Sequence, residues 1–433
     1  MITNISAENY RGFEKFDINL SKINLFFGPN NSGKSSIISL FNLISQTLQS
    51  ADPTVPLLLR GNNGDLGTYR DLVYNHDITK NVTLGIQVKP NPPKTGITGK
   101  KGKESHPHGK LSLEYKFRPL RREIILNNIK IKLPEDNVEF EYKKVESKDS
   151  DRYHVILNDN GKISKYFESF FLHFLPFGIQ SPEGSSSVLP RQFIWNFYNQ
   201  MRSIESIGPL RKPPERTYMF SGESPSFVGF KGEGAVDIMV QDYLKQKGEK
   251  KKNIAKKVSK WLKDCNISDE INIKKLSDRH FELVLKNQLE DTLENIADVG
   301  YGCSQVLPIL VAGYNLDQGN LFIVQEPEIH LHPKAQAELG SFFYNLMKED
   351  IQMIIETHSE HLLLRLQAHV ADRKSNLVPS DISIYYINTT NGKREIQQIE
   401  LAEDGFFKDD WPDGFFPERL HEATKIHKRS LSD

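Results

Sequence analysis

A strand, a glycine-rich turn and a helix follow one another without a gap near the start of the chain. The apolar strand Ile23–Phe27 leads into GPNNSGKS at residues 28–35, which matches the phosphate-loop pattern G-x-x-x-x-G-K-[ST]. From Ser35 to Leu48, apolar residues recur at helical spacing. The glycines let successive N–H groups point at phosphate oxygens, and the following helix N-terminus attracts the same anion. The pattern predicts an α/β fold of the P-loop NTPase type that binds a nucleoside triphosphate.

The positions of this loop have separate expected roles. We expect Lys34 to reach the β- and γ-phosphates, and the Ser35 hydroxyl to ligate Mg²⁺. No motif marks the residues that read the base, so the motif itself does not separate ATP from GTP. The residues predicted to bind the nucleotide are Gly28, Asn30, Asn31, Ser32, Gly33, Lys34, Ser35 and Ser36.

Two later apolar strands also end in residues suited to nucleotide chemistry. Leu321–Val324 is followed by Gln325 and Glu326, although an apolar strand that ends in acids is a common pattern. Met353–Glu356 is followed by Thr357 and His358, and a histidine there is placed to contact a γ-phosphate. Taken alone, a histidine is more often an ordinary surface or core residue. Its position about thirty residues after the acidic strand end favours the functional interpretation.

A second glycine-rich stretch, Gly300–Gln305, precedes the apolar run Val306–Val311. We predict a polar turn before a helix, where backbone N–H groups form another anion-binding N-terminus. On its own, this stretch is as well explained by an ordinary loop.

The order of these motifs resembles that of ABC-type ATPase heads. It is most similar to the stand-alone prokaryotic branch related to SMC-like and OLD-type ATPases, which carries runs like PEIHLHP, here Pro327–Pro333, and THSEHLL, here Thr357–Leu363. GPLRKPPERTY and the terminal WPDGFFPERLHEA at Trp411–Ala423 resemble members that end in a short uncharacterised C-terminal domain. The resemblance covers nearly the whole chain and is weakest over Lys89–Phe170. It implies an ABC-ATPase-head fold with ATP and Mg²⁺ as cofactors.

The resemblance also implies roles for individual residues. Glu326 takes the place of the general base and His358 that of the switch histidine, which makes these two the predicted catalytic residues. The ABC signature acts on the γ-phosphate of the opposite subunit, so the resemblance implies a homodimer that sandwiches two ATP molecules. The residues at the signature position are Gly300, Gly302, Ser304 and Gln305, and the segment with His330 and His332 falls where family members make dimer contacts.

One position departs from the family pattern. Where the family has an acid that holds the hydration shell of the magnesium, this chain has Gln325. An amide oxygen accepts a hydrogen bond from metal-bound water but brings no negative charge, so slow turnover is expected. The predicted metal-side residues are Ser35 and Gln325. The alternative is a one-step shift in which Glu326 serves the metal and Glu328 the water.

Composition limits the class of protein further. The chain has 433 residues but only two cysteines, Cys265 and Cys303, which excludes a disulfide scaffold and favours a cytoplasmic location. No apolar run approaches the ~18 residues of a membrane span. Charge balances at 56 against 56, yet Lys245–Lys263 holds nine lysines and one glutamate, whereas Glu395–Glu418 holds eight acids and one lysine.

The motifs lie at both ends of the chain, with an insertion between them. We predict a β-rich insertion with a basic loop at Lys89–Lys110, a mainly helical stretch over Phe167–Gly208, a helix over Asp237–Cys265, and no long coiled coil. The expected parts are an N-terminal ATPase segment at 1–88, the insertion at 89–160, a helical lobe with the signature-like turn at 161–318, the C-terminal ATPase segment at 319–400 and a short extension at 401–433.

Three functional hypotheses remain open on the sequence alone. The first is an ATP-gated dimeric switch in antiviral defence that works with a separate effector protein, such as a nuclease or a toxin. Asp409, Asp410 and Asp413 lie among prolines and aromatics, so we expect no nuclease in this chain. The alternative is a DNA- or RNA-associated ATPase, supported by the lysine-rich segments, although charge runs are more often solvated faces. Gln325 also leaves open an ATP-binding module without turnover.

Overall fold

The structure is a computed structural model that describes residues 1–89, 108–145, 153–168, 171–176, 190–246, 250–286 and 292–408. It contains two compact units, one made of Met1–Leu20 and Ser36–Ile204, the other of Ser21–Ser35 and Glu205–Asp433. Most of the predicted basic loop lies outside the described residues, as do Asp409, Asp410, Asp413 and the segment Trp411–Ala423.

Strands dominate the first half of the described chain, and strands and helices alternate in the second. The strands are β1 (Ile2–Tyr10), β2 (Phe13–Asn19), β3 (Ile23–Phe27), β4 (Arg60–Gly61), β5 (Gly64–Asp65), β6 (Val82–Val88), β7 (Gly109–Arg118), β8 (Glu123–Leu133), β9 (Val138–Lys144), β10 (Tyr153–Asp159), β11 (Lys162–Glu168), β12 (Phe171–Leu172), β13 (Leu175–Pro176), β14 (Ile204–Ile207), β15 (Tyr218–Met219), β16 (Ile271–Lys275), β17 (His280–Lys286), β18 (Leu293–Asn295), β19 (Leu321–Gln325), β20 (Gln352–Glu356), β21 (Ile382–Thr390) and β22 (Lys393–Ile399). The helices are α1 (Lys34–Leu48), α2 (Tyr69–Leu72), α3 (Arg191–Arg202), α4 (Ala235–Leu244), α5 (Ile254–Asp264), α6 (Tyr301–Asn315), α7 (Pro333–Lys348) and α8 (Glu360–Ala371).

The first unit is built on an eight-stranded antiparallel sheet in the order β11-β10-β9-β8-β7-β6-β1-β2. Strands β6 and β7, on either side of the predicted basic loop, pair with each other in this sheet. Buried and half-buried residues alternate along β7, as expected for a strand with one face in the core. Charged cross-strand pairs occupy the other face, among them Lys130 opposite Glu141 and Lys132 opposite Glu139.

The second unit contains a six-stranded sheet in the order β14-β19-β20-β3-β21-β22. Strands β19, β20, β3 and β21 run parallel to one another, and β22 runs antiparallel to its neighbour β21. Every residue of β3, β19 and β20 is buried, which is typical of parallel strands covered on both faces. Because these strands are parallel, the phosphate loop and the two polar strand ends leave the sheet at the same edge.

A second, smaller sheet and the helices α4 to α8 complete the described core of this unit. Strand β17 pairs antiparallel with β15, β16 and β18. Helix α5 buries one apolar face, formed by Ile254, Val258, Trp261 and Leu262. In the described residues, no helix is long and apolar enough to cross a membrane.

Three predictions of local structure are wrong in part. The stretch predicted to be helical over Phe167–Gly208 contains a helix only at Arg191–Arg202 among its described residues, since Pro190 precedes that helix and the buried run Ile204–Ile207 forms a strand. The helix predicted over Asp237–Cys265 is two helices, α4 and α5. The sequence between them is rich in lysine and has no apolar residue that could pack in a core. Asn253, the residue before α5, has a left-handed conformation with φ 55°.

The third difference concerns the glycine-rich stretch Gly300–Gln305. Helix α6 already begins at Tyr301, so Gly302, Ser304 and Gln305 are helical and do not form a turn. A side chain at Gly302 would place its Cβ 2.6 Å from the carbonyl oxygen of His330. Glycine therefore serves close packing at this point of the helix.

Candidate nucleotide-binding site

The phosphate loop has a backbone that only glycine accommodates at its two ends. Gly28 has φ 140°, and a Cβ there would collide with the carbonyl oxygen of Ile387. Gly33, directly before α1, has φ 114°. The glycines of the motif therefore allow the tight path from β3 to the helix N-terminus.

Two side chains of the loop are buried and polar. The Lys34 ammonium donates hydrogen bonds to the carbonyl oxygens of Gly28 and Pro29, at 2.8 and 3.0 Å. Burial lowers the pKa of Lys34, an effect opposed by the negative charges of nearby carboxylates, of which Glu356 has the largest influence. The Ser32 hydroxyl is buried and has no hydrogen-bond partner among the described residues. An ammonium and an unpaired hydroxyl are the groups that a phosphate oxygen would satisfy.

The other predicted loop residues are more accessible. Asn30, Asn31 and Ser35 are exposed, and Asn31 has φ 66°. Ser36 is half-buried in α1, where its carbonyl oxygen accepts a hydrogen bond from Ser39. These placements leave the open side of the loop lined by polar groups.

The two metal-side candidates converge on a carboxylate that sequence reasoning did not single out. The Ser35 hydroxyl donates to Glu356 Oε1 at 2.8 Å, and the Gln325 amide Nε2 donates to Glu356 Oε2 at 2.6 Å. Glu356 is 3% exposed and ends β20. A hydroxyl, an amide oxygen and a carboxylate are hard oxygen donors of the kind that Mg²⁺ prefers, so the residues present fit this ion. The sequence signal for Glu356 was an acid at a parallel strand end.

Glu326, the predicted general base, has a constrained backbone and a partly exposed side chain. Its φ is 46°, in the left-handed region where a non-glycine residue is uncommon. Its N–H donates to the carbonyl oxygen of Glu356 at 2.7 Å, and its own carbonyl oxygen accepts a hydrogen bond from Arg211 at 3.0 Å. Neighbouring elements on two sides therefore hold this strand end in place.

Arg211, in the proline-rich segment after β14, is a second residue that sequence reasoning missed. Its Nη2 donates to the carbonyl oxygens of Gln325 and Glu326, at 2.6 and 3.0 Å. The side chain is 7% exposed, and its Nε and Nη1 have no hydrogen-bond partner within the described ranges. Burial lowers the pKa of Arg211 to about 10, which still leaves the guanidinium charged at neutral pH. A buried positive charge thus lies beside the strand end that carries Glu326.

Glu328 connects this strand end to the switch-histidine segment. Its Oε1 accepts a hydrogen bond from the backbone N–H of His358 at 2.5 Å, and burial raises the pKa of its carboxyl group. Burial, together with the positive charge of Lys34, lowers the pKa of His358. Because Glu328 is turned toward the His358 backbone, this geometry favours Glu326 over Glu328 as the residue that faces water.

The signature-position residues lie at the start of α6 in different environments. Gly300 and Tyr301 are exposed, with Tyr301 65% accessible, whereas Ser304 and Gln305 are buried. The Ser304 hydroxyl donates to the carbonyl oxygen of Tyr301 at 2.9 Å. The Tyr301 and His330 rings lie 5.9 Å apart, so the α6 start adjoins the segment after the predicted general base. His332 caps helix α7, where its side chain accepts from the Lys334 N–H.

Two family models match the chain. The model of a family described as an AAA ATPase domain matches residues 1–178 and 216–363. A second family, described as a protein of unknown function (DUF3696), matches residues 377–426. These matches confirm the predicted α/β P-loop ATPase and its short uncharacterised C-terminal domain. No curated protein sequence matches the chain significantly.

Several solved SMC heads are similar to the chain over most of its length. One is an SMC head bound to the C-winged helix domain of ScpA, with 12% identity, 93% of this chain and 98% of that chain covered, and a TM-score of 0.49. The SMC head domain from Thermotoga maritima has 10% identity, coverages of 92% and 99%, and a TM-score of 0.39. An SMC head with an extended coiled coil, bound to the C-terminal domain of ScpA derived from Pyrococcus furiosus, has 11% identity, 99% coverage of both chains and a TM-score of 0.40.

Proposed function

The chain belongs to the AAA ATPase domain family, and on this premise we propose that it binds and hydrolyses ATP at the edge of the parallel sheet. The observation that carries the proposal is the hydrogen bond from Ser35 in the phosphate loop to Glu356 at the end of β20. This contact joins two motifs that are 321 residues apart in the sequence. The phosphate loop and the strand ends therefore belong to one constellation.

Each group in this constellation has a task in hydrolysis. Lys34 and Ser32 bind phosphate oxygens, and the Ser35 hydroxyl would hold the Mg²⁺ that accompanies them. Bound Mg²⁺ would neutralise charge on the triphosphate. Glu326 orients the attacking water and accepts its proton, which is general-base catalysis. His358 donates a hydrogen bond to the γ-phosphate.

Phosphate release from MgATP, measured over a range of protein concentrations, tests this function. Glu326→Gln keeps the size of the side chain but removes the base, so it should slow release by about a hundredfold or more while ATP still binds. Glu349→Gln, exposed at the end of α7, is the matched control and should hydrolyse as the wild type does. Unchanged release in Glu326→Gln would assign the base to another residue.

The proposal includes a nucleotide-gated homodimer. Its support is that Tyr301, at the signature position, and His330, in the segment where dimer contacts are expected, are exposed and adjacent. In this arrangement the start of α6 faces the nucleotide of a second copy, so closure depends on ATP in both sites. A rate of phosphate release per chain that rises with protein concentration and then saturates would support the dimer.

The oligomeric state of Glu326→Gln in MgATP tests the dimer directly, by light scattering after size exclusion. We expect a dimer with ATP and a monomer without it. Adding Tyr301→Arg at the exposed position should return the protein to a monomer, whereas Leu120→Arg, on the exposed turn between β7 and β8, should not. A dimer that survives Tyr301→Arg would remove the α6 start from the interface.

We extend the proposal to a role in antiviral defence with a separate effector, a nuclease or a toxin. The support is the sequence resemblance to stand-alone prokaryotic ATPases. Phage plaque counts on cells that carry the encoding locus, with the wild-type chain or with Lys34→Ala, test this role. Equal plaque numbers for both would contradict it.

The alternative is an ATPase associated with DNA or RNA. The observation that favours it is a row of exposed lysines on α5, Lys256, Lys260 and Lys263, opposite the buried face of that helix. Binding through these lysines would weaken steeply with salt, because each phosphate contact releases counterions. Nucleic-acid affinity that is unaffected by replacing the three lysines with glutamine would discard this alternative.

A further inference from the structure

Gln325 and Glu356 occupy equivalent positions on neighbouring strands. They are the last residues of β19 and β20, and the parallel register places them directly opposite each other. The acid that is absent from the end of β19 is thus present one strand away, at the same level of the sheet. The pair is joined by the hydrogen bond from Gln325 Nε2 to Glu356 Oε2.

This pairing explains why a glutamine, and not an acid, occupies position 325. Two carboxylates at these positions would repel each other in a buried site, and one would resist ionisation. An amide beside a carboxylate instead donates an N–H to it and keeps its own oxygen as an acceptor. Gln325 can therefore orient Glu356 without competing for its charge.

The contact with Ser35 points in the same direction. The Ser35 hydroxyl donates its one proton to Glu356 Oε1, which leaves the oxygen lone pairs for a cation. A buried carboxylate whose two oxygens accept from the metal-side serine and from Gln325 is placed to act on the ion that this serine would hold.

We propose that Glu356 is the acid that serves the nucleotide-bound Mg²⁺ in this protein, and that Gln325 is the positioning residue that orients it. The proposal rests on the proposed ATP-binding function and deepens it. It replaces the interpretation in which Gln325 leaves the metal without a compensating charge. The competing explanation is a purely structural Glu356, which only accepts the hydrogen bonds from Ser35 and Gln325.

The affinity for ATP with Mg²⁺, divided by the affinity for ATP in EDTA, separates the two explanations. In the wild type we expect Mg²⁺ to strengthen binding. In Glu356→Gln this ratio should fall at least about tenfold, while binding in EDTA stays equal or becomes tighter, because a negative charge near the triphosphate is gone. A wild-type ratio in a folded Glu356→Gln protein would overturn the proposal.

A swapped variant provides the second test and covers a poorly folded single variant. Gln325→Glu combined with Glu356→Gln moves the acid to β19 and keeps one amide and one carboxylate as neighbours. It should recover the magnesium ratio to within about threefold of the wild type. A folded swap in which Mg²⁺ does not strengthen ATP binding would overturn the proposal.

Two controls keep the outcomes apart. Glu338→Gln removes a carboxylate that pairs with Arg365 on α8, outside this site, and should leave the ratio unchanged. Thermal unfolding without nucleotide reports whether each variant is folded. A wild-type chain that binds no ATP at all would contradict the proposed function, whereas intact magnesium dependence in Glu356→Gln would contradict only the role of Glu356.

Discussion

The antiparallel sheet of the first unit and the parallel strands of the second use their side chains differently. In β7 and β8, polar residues share each strand with the core residues and form ladders such as Lys130 with Glu141. In β3, β19 and β20 every residue is buried, and polar chemistry collects where the strands end. A strand covered on both faces has no free face for function, so the candidate site lies at the carboxyl ends of these strands.

The largest expected difference between the two sheets is in the loss of unfolding free energy when adjacent residues of one strand are substituted. Ile354→Ala and Ile355→Ala, at consecutive buried positions of β20, should each lower the free energy of unfolding by about 2–5 kcal/mol, because each leaves a cavity. In β8, Ile129→Ala should cost as much, but its neighbour Lys130→Ala only about 0.2–1 kcal/mol through the loss of one surface ion pair. Denaturant unfolding measures the free energy of unfolding of all four variants. A loss below about 1 kcal/mol in Ile354→Ala or Ile355→Ala would contradict burial on both faces of β20.

The next effect concerns a lysine in each unit. Lys34→Ala should weaken ATP binding by about a thousandfold, since charge-assisted hydrogen bonds contribute ~1.5–3 kcal/mol each and the ammonium makes more than one. Lys110→Ala, in β7, removes an ion pair with Asp17 and should leave ATP affinity unchanged. Calorimetric titration with ATP measures both. Loss of binding in the second variant would place nucleotide recognition outside the strand ends.

Arg211 tests whether the strand end must be held rigidly. Arg211→Met keeps much of the packing but removes the donors to the Gln325 and Glu326 carbonyl oxygens. Because hydrogen bonds to charged groups contribute ~1.5–3 kcal/mol, we expect kcat to fall about ten- to a hundredfold, with ATP affinity within about threefold of the wild type. Arg216 lies in the same segment and forms an exposed ion pair with Asp298. Arg216→Met removes this pair and should change neither kcat nor the ATP affinity. Equal losses in affinity and kcat would indicate a general disruption instead of positioning.

Features set by one short segment of the chain were predictable from the sequence, whereas contacts between distant segments were not. The phosphate loop and α1 are set within a short segment, so Gly28 to Leu48 was predictable from the sequence. Glu356 was not assigned, because its partners Gln325 and Ser35 become neighbours only through strand order, which the sequence does not state. Arg211 was hidden for the same reason, since its partners are backbone carbonyl oxygens.

Glycine content misled the interpretation of α6 in a specific way. Gly300 and Gly302 suggested a turn, since glycine is common where chains reverse. In the structure, Gly302 lies inside the helix because a side chain there would collide with the His330 carbonyl oxygen. A glycine in the sequence is consistent both with a turn and with close packing inside a helix. The two can be distinguished only when the packing partner, here the His330 carbonyl oxygen, is known.

The smallest expected effect is a shift in the titration of His358, at the end of β20. Burial first, and the charge of Lys34 second, hold its pKa below the usual 6.5, so the NMR midpoint of its ring protons should lie below that value. In Lys34→Ala the midpoint should move upward, because one of the two causes is removed. A lowered pKa means that the folded state binds fewer protons than the unfolded state. Its contribution to stability is therefore present above pH 6.5 and lost as the pH falls through the folded pKa. A midpoint at or above 6.5 in the wild type would show that the strand end is open to water, unlike the buried strand that leads to it.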